Sequence, residues 1–155
     1  MAKMGKFSAS DLKKLQKKLN KIQKENAEAF VASCAKELAA RLLAKVVKRT
    51  PVGQYPKGTG KVGGTLRRGW TGEQKASAKG YAESLKVEHI GENFVIEIIN
   101  PVEYASYVEY GHRTRDHQGW VQGRFMLTIS EQEVQEIAPN VLASKIEKFI
   151  GECFN

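Results

Sequence analysis

The sequence predicts an α+β fold: a long N-terminal helix, a small antiparallel β-sheet with a long basic glycine-rich loop, then a short helix and a C-terminal helix packed on the sheet. Three observations predict it. Apolar residues recur at steps of three and four from residue 12 to residue 46 with no Gly or Pro between them. Residues 51–80 hold eight glycines and two prolines, a density that ends helical pattern. Residues 81–100 then alternate apolar and polar around a turn signal.

The first helix runs from about Ser10 to Lys48. Leu12, Leu15, Leu19, Ile22, Phe30, Cys34, Leu38, Leu42 and Val46 fall on one stripe. Ser8 with Asp11, or Ser10 alone, supplies an N-cap pattern. Thr50-Pro51 ends the run, because a residue before proline is pushed out of the helical region. Such a helix is roughly 57 Å long at ~1.5 Å per residue. Residues 1–24 carry eight lysines against one acid, Asp11, and few large apolar side chains. This lysine-rich extension is expected to project from the domain or to lie on a partner.

Residues 51–80 read as a flexible basic loop containing Lys57, Lys61, Arg67, Arg68, Lys75 and Lys79. Within it only TLRRGW looks structured, as a short strand or turn anchored by Leu66 and Trp70. YAESLKVEHI and FVIEIIN read as a hairpin turning at Gly91-Glu92-Asn93, with the second strand the more buried. Val102 to Tyr110 reads as a short helix ended by Gly111, with Tyr104, Tyr107 and Val108 packing one face into the core. HRTRDHQGW reads as a loop. Gly123 to Asn155 is helical, with Ser130 and Glu133 as a capping box and Pro139 kinking or splitting the helix. With no repeat and no linker, residues 1–155 read as one domain.

The net charge of +8 is unevenly spread. Residues 36–79 hold eleven bases against two acids, whereas residues 80–155 hold six bases against twelve acids. A basic excess suits an anionic partner such as nucleic acid. Opposite signs in one chain also suit head-to-tail self-association. A solvated lysine helix without a partner explains the same charges. No apolar run reaches the ~18 residues that would span a membrane. No apolar segment backs the N-terminal lysines as in a secretory signal. Cys34 and Cys153 lie far apart inside apolar periodic segments and read as buried thiols of a reducing compartment.

Signals for chemistry are weak. His112, Asp116 and His117 share a loop beside Glu109, a candidate for a small metal-dependent enzyme, but HExxH, paired CxxC and GxSxG are absent. GTGKVGG resembles part of a phosphate loop, yet it neither follows a predicted strand nor opens a predicted helix. No cofactor is expected. Nucleic-acid contact is the stronger alternative. Arg67 and Arg68 flank Trp70, and Arg113, Arg115 and Arg124 bracket Trp120, so phosphates and bases could be held without sequence reading. The competing reading makes Trp70 and Trp120 core anchors and pairs the arginines with Glu103, Glu109 and Asp116.

The order of RTPVG (49–53), TLRRGW (65–70), a hairpin, NPVEYASYVEYGHRTR (100–115) and GWVQGRFML (119–127) before a last helix is informative. It resembles the tail-component family of long-tailed bacteriophages and prophages, related to the lambda-type minor tail protein Z and to neck or tail-completion proteins. The resemblance covers about residues 36–150, and YASYVEYG is its most specific piece. Three features depart from the pattern: the inserted QYPKGTGKVG, Trp70 in place of a small residue, and the lysine-rich start. The resemblance implies a non-catalytic virion protein, made in the bacterial host cytoplasm and placed at the head–tail junction or proximal tail. It implies a ring of identical subunits around the DNA channel, a hexamer being one stoichiometry. Neighbours would be head-completion, tail-terminator or tail-tube proteins. Lys57, Lys61, Arg67, Arg68, Arg113, Arg115 and Arg124 become candidate channel or interface contacts.

Overall fold

The computed structural model describes residues 9–72 and 76–154, the side chains of Ala9, Asp11, Cys153 and Phe154 excepted. The Ser8–Asp11 cap, the Cys153 thiol and Lys75 lie outside what is described. Helix α1 spans Ala9–Arg49, 41 residues. Then come α2 (Thr65–Gly69), α3 (Ala78–Ser84), strands β1 (Glu88–Ile90) and β2 (Asn93–Val95), α4 (Ala105–Tyr110), strands β3 (Gly111–Arg113) and β4 (Trp120–Gln122), and α5 (Met126–Phe154). The α+β class and the element order follow the sequence pattern.

The core forms where the second half of α1 meets α2, α3 and α5. Leu43, Val46 and Met126 are fully buried there, and Ala39, Leu66, Trp70 and Ala82 close around them. Farther along, Phe30 of α1 stacks on Phe149 of α5 with ring centroids 4.4 Å apart. N-terminal to that contact α1 runs free, and Leu12, Leu15, Leu19 and Ile22 are each at least half exposed. Cys34 is buried, and burial pushes its thiol above the ordinary range, so it is poorly reactive.

Several elements differ from the sequence expectation. TLRRGW forms the five-residue helix α2 where a short strand or turn was expected, and Leu66 and Trp70 are buried in it and at its end. Helix α3 occupies the end of the expected loop and the start of the expected first strand. Ser77 caps it by accepting from the Gly80 N–H, and Ala82 is fully buried against the core. Burial against α1 thus overrode local glycine content and alternation. What remains of the first hairpin is three residues per strand, antiparallel, with His89 opposite Phe94. Phe94 of β2 and Ile96 and Ile98 after it line, with Leu38 and Leu42 of α1 and Val134 of α5, a hollow of about 300 Å³.

The expected loop after Gly111 is a second antiparallel hairpin, in which His112 faces Val121 and Arg113 faces Trp120. Thr114 closes it, donating to Asp116 and accepting from the Gly119 N–H. Those bonds hold the Asp116 carboxyl below its usual range, first through the Thr114 hydroxyl and then through the Gln118 N–H.

Helix α5 is continuous through Pro139. It begins at Met126, so Ser130 and Glu133 lie inside it and are not a capping box. They instead tie α5 to α1. Arg49 donates to the Ser130 hydroxyl at 2.7 Å and pairs with Glu133 at 2.6 Å, while Lys45 pairs with Glu133 at 2.9 Å. The Lys45 bond first and the Arg49 bond second hold the Glu133 carboxyl below its usual range.

Candidate assembly interface

The three motif stretches converge on a few buried polar groups. Thr50, fully buried at the end of α1, is the first. Its N–H and its hydroxyl both donate to the Val46 carbonyl, at 2.9 Å and 2.6 Å. The Trp70 indole N–H then donates to the Thr50 hydroxyl at 2.8 Å. Arg67 donates twice to the Thr50 carbonyl, at 3.0 Å and 2.6 Å. The RTPVG and TLRRGW stretches are therefore bonded to each other. A buried tryptophan requires a partner for its N–H, and a helix end requires donors for its last carbonyls.

Asn100, half-buried, is the second joint. Its amide donates to the Leu66 carbonyl at 2.8 Å and its oxygen accepts from the Val102 N–H. The Asn100 amide lies so close to Gly69 that a Cβ there would collide with it, which explains the glycine inside TLRRGW.

The third is Glu109, only 6% exposed. Its carboxylate accepts from the Leu127 N–H at 2.9 Å, the Thr128 N–H at 2.9 Å and the Thr128 hydroxyl at 2.7 Å. A carboxylate against the first N–H groups of a helix satisfies orphan donors and opposes the positive end of the dipole. The backbone reinforces this, since Arg124 and Phe125 N–H groups donate to the Val108 and Glu109 carbonyls. Gly111, at φ 88°, ends α4 and turns the chain into the second hairpin.

With these groups committed inside, the remaining surface is distinctive. Tyr104, Tyr107, Tyr110 and Trp120 are 45%, 59%, 64% and 59% exposed, so Tyr104, Tyr107 and Trp120 are not core anchors. The buried face of α4 belongs to Glu109, with Val108 half-buried against the core. Tyr107 instead meets His112 edge-on at 5.9 Å. Tyr104 and Val108 share a hollow of about 260 Å³ with Val52, Tyr55, Val62 and Leu66. The basic loop thus lies beside the tyrosine helix, and Lys61 sits over the Tyr55 ring at 5.9 Å.

The candidate cations divide into two sets. Arg67 is held by Thr50, and Arg68 reaches the Gly63 carbonyl at 3.3 Å and the Thr65 hydroxyl at 3.4 Å, so both brace the loop base. Lys57, Lys61, Arg113, Arg115 and Arg124 are exposed, and none has an ion-pair partner among the described residues. The expected pairing of arginines with Glu103, Glu109 and Asp116 does not occur, because α5 takes Glu109 and Thr114 takes Asp116. Among the described residues no three His, Cys, Asp or Glu side chains gather in a metal-binding group, and His112 turns its Nδ1 to the Arg113 carbonyl instead. No helix among them is long and apolar enough to cross a membrane.

Residues 13–111 match the family model described as "Bacteriophage HK97-gp10, putative tail-component". The chain belongs to this family. Membership makes it a structural phage protein, a tail component with its place in the virion. No curated protein and no solved structure gives a significant match. The matched region takes in Thr50, Arg67, Trp70, Asn100 and Glu109 together with the glycine-rich loop and most of α1. Sequence reasoning missed Thr50, Asn100 and Glu109 as joints. No local signal marks Glu109, because the N–H groups that turn it inward belong to Leu127 and Thr128.

Proposed function

We propose that this HK97-gp10-like protein acts in head–tail joining or tail completion, as one subunit of a ring around the DNA channel. The observation that carries the reading is the sorting of cations: five exposed basic side chains with no ion-pair partner among the described residues lie on the glycine-rich loop, the second hairpin and the approach to α5. A lumen lined by Lys57, Lys61, Arg113, Arg115 and Arg124 would touch passing DNA through its phosphates without reading sequence. The acidic residues 80–155 would meet the basic surface of the next subunit. Exposed Tyr107, Tyr110 and Trp120 supply the aromatic contact area that interfaces favour. Head-completion, tail-terminator or tail-tube proteins would stack above and below.

Electron microscopy of lysates from the parent phage with this gene disrupted tests the role. Filled heads beside finished, unjoined tails support joining, and tails of abnormal length support a role in terminating the tail. Normal infectious particles would refute both. In that event steep salt dependence of DNA binding by the isolated chain would favour a sequence-neutral nucleic-acid-binding protein.

A further inference from the structure

The exposed stripe on the free half of α1 is explained by neither the core nor the cation set. Leu12, Leu15, Leu19 and Ile22 are spaced three, four and three residues apart, the alternation of a and d positions in a heptad. Asn26 falls on the next a position. The stripe continues the face that α5 covers farther along: Asn26 and Phe30 border a hollow shared with Phe149 and Glu152, the end of α5. Where α5 stops, the seam goes on uncovered for three further turns.

The residues beside the stripe decide what covers it. In the same register Lys13, Lys14, Lys17, Lys21 and Lys24 take the outward b, c and f positions. The e positions are Gln16 and Gln23, and the g positions are Lys18 and Glu25. A helix lying on an anionic surface places lysines along the borders of its apolar face. Here Lys18 alone borders the stripe and the other five stand on the far side. In a parallel pair of such helices, g meets e′, so Lys18 faces Gln23 and no like charges oppose. In an antiparallel pair centred on the stripe, Lys18 meets Lys18 of the other copy, which disfavours it. A polar Asn at a fixes register in parallel pairs.

We propose that residues 12–26 of α1 are a self-association arm, pairing in parallel with the same segment of a second copy. The seam is short, so pairing is weak in dilute solution and strengthens when copies are held close together. The proposal stands apart from the head–tail role and is tested without phage.

The full chain is prepared with a single added cysteine, as Leu12→Cys on the seam or Lys13→Cys on the outward face, and oxidised at high protein concentration. The wild-type chain sets the background from its own thiols. Covalent dimer is expected at about tenfold higher yield from Leu12→Cys than from Lys13→Cys. In sedimentation, the wild-type mass should climb from 17.3 kDa with concentration, and Leu19→Lys should stay monomeric. The stripe lies outside the core, so circular dichroism should show the domain intact in every variant. Equal cross-linking at the two sites overturns the proposal, as does a wild-type chain that stays monomeric up to about 1 mM. Binding of wild type, and not of Leu19→Lys, to phosphatidylserine vesicles would assign the stripe to a lipid surface and overturn it too.

Discussion

Replacing Glu109 should unseat the start of α5. In Glu109→Ala the Leu127 and Thr128 N–H groups and the Thr128 hydroxyl all lose their acceptor. Hydrogen bonds to a charged group contribute about 1.5–3 kcal/mol each, and loss of a helix cap costs about 1 kcal/mol. Leu127 and Thr128 are only half-buried, so water recovers part of the three bonds. A loss of about 3 kcal/mol results, near the single-bond ceiling rather than the sum. For a chain of this size that is a fall in Tm of about 6–12 °C. Glu109→Gln separates acceptance from mere volume. Its amide oxygen can keep both Thr128 donors, but its NH₂ then faces the Leu127 N–H, for a loss of about 1–2 kcal/mol. Thermal and urea melts followed by circular dichroism give both numbers. Hydrogen exchange at Leu127 should quicken in the alanine variant before global unfolding. If Glu109→Ala melts within about 2 °C of wild type, or if Gln is as harmful as Ala, the carboxylate is not the clamp described above.

Thr50→Val should strand the Trp70 indole N–H in the core, lowering stability by about 1–3 kcal/mol in urea titration, whereas an exposed Thr→Val change would be near neutral. Tyr107→Ala should shift stability by under about 1 kcal/mol in the same assay, given the exposure of that ring. By contrast, Arg113→Ala with Arg115→Ala should leave the melt unchanged and reduce assembly of infectious particles, scored by plaque titre. Glu133 predicts a pH dependence. Its carboxyl is lowered in the folded state, so its contribution is complete above the unfolded value of about 4.3 and is lost as pH falls through the folded value. The stability gap between wild type and Glu133→Gln should therefore be constant at neutral pH and close progressively below about pH 4.3; a gap that widens in acid would contradict the pairing with Lys45 and Arg49.

How far the fold could be read in advance depended on the range of the forces at work. Helix α1 was legible because its periodicity and its Thr50-Pro51 stop are local. So were the Leu66 and Trp70 anchors, since large apolar groups in a glycine-rich stretch have few other uses. Helix α3 was not, because Ala82 is buried only through packing against α1, and nothing in KGYAES encodes that partner. The tyrosine spacing correctly gave a helix but the wrong inward face. An acid is ordinarily taken as the solvent side, and only the N-terminus of α5, eighteen residues away, makes Glu109 the inward one. Of the two outcomes expected at Pro139, a kink or a split, the split does not occur, since α5 continues through that residue. The exposed cations of the candidate interface were visible as residues. Which of them were bound internally, as Arg67 is by Thr50, required the folded chain.

The joints at Thr50, Asn100 and Glu109 have a bearing on how such proteins can diverge. Thr50, Asn100 and Glu109 fasten the chain to itself, while residues 53–63 and the exposed start of α1 are bonded mainly within their own segments. A relative could exchange its loop for one of another length or charge and leave every joint in place. Chimeras that graft residues 53–63 between family members should fold as their recipients do and inherit the docking preference of the donor.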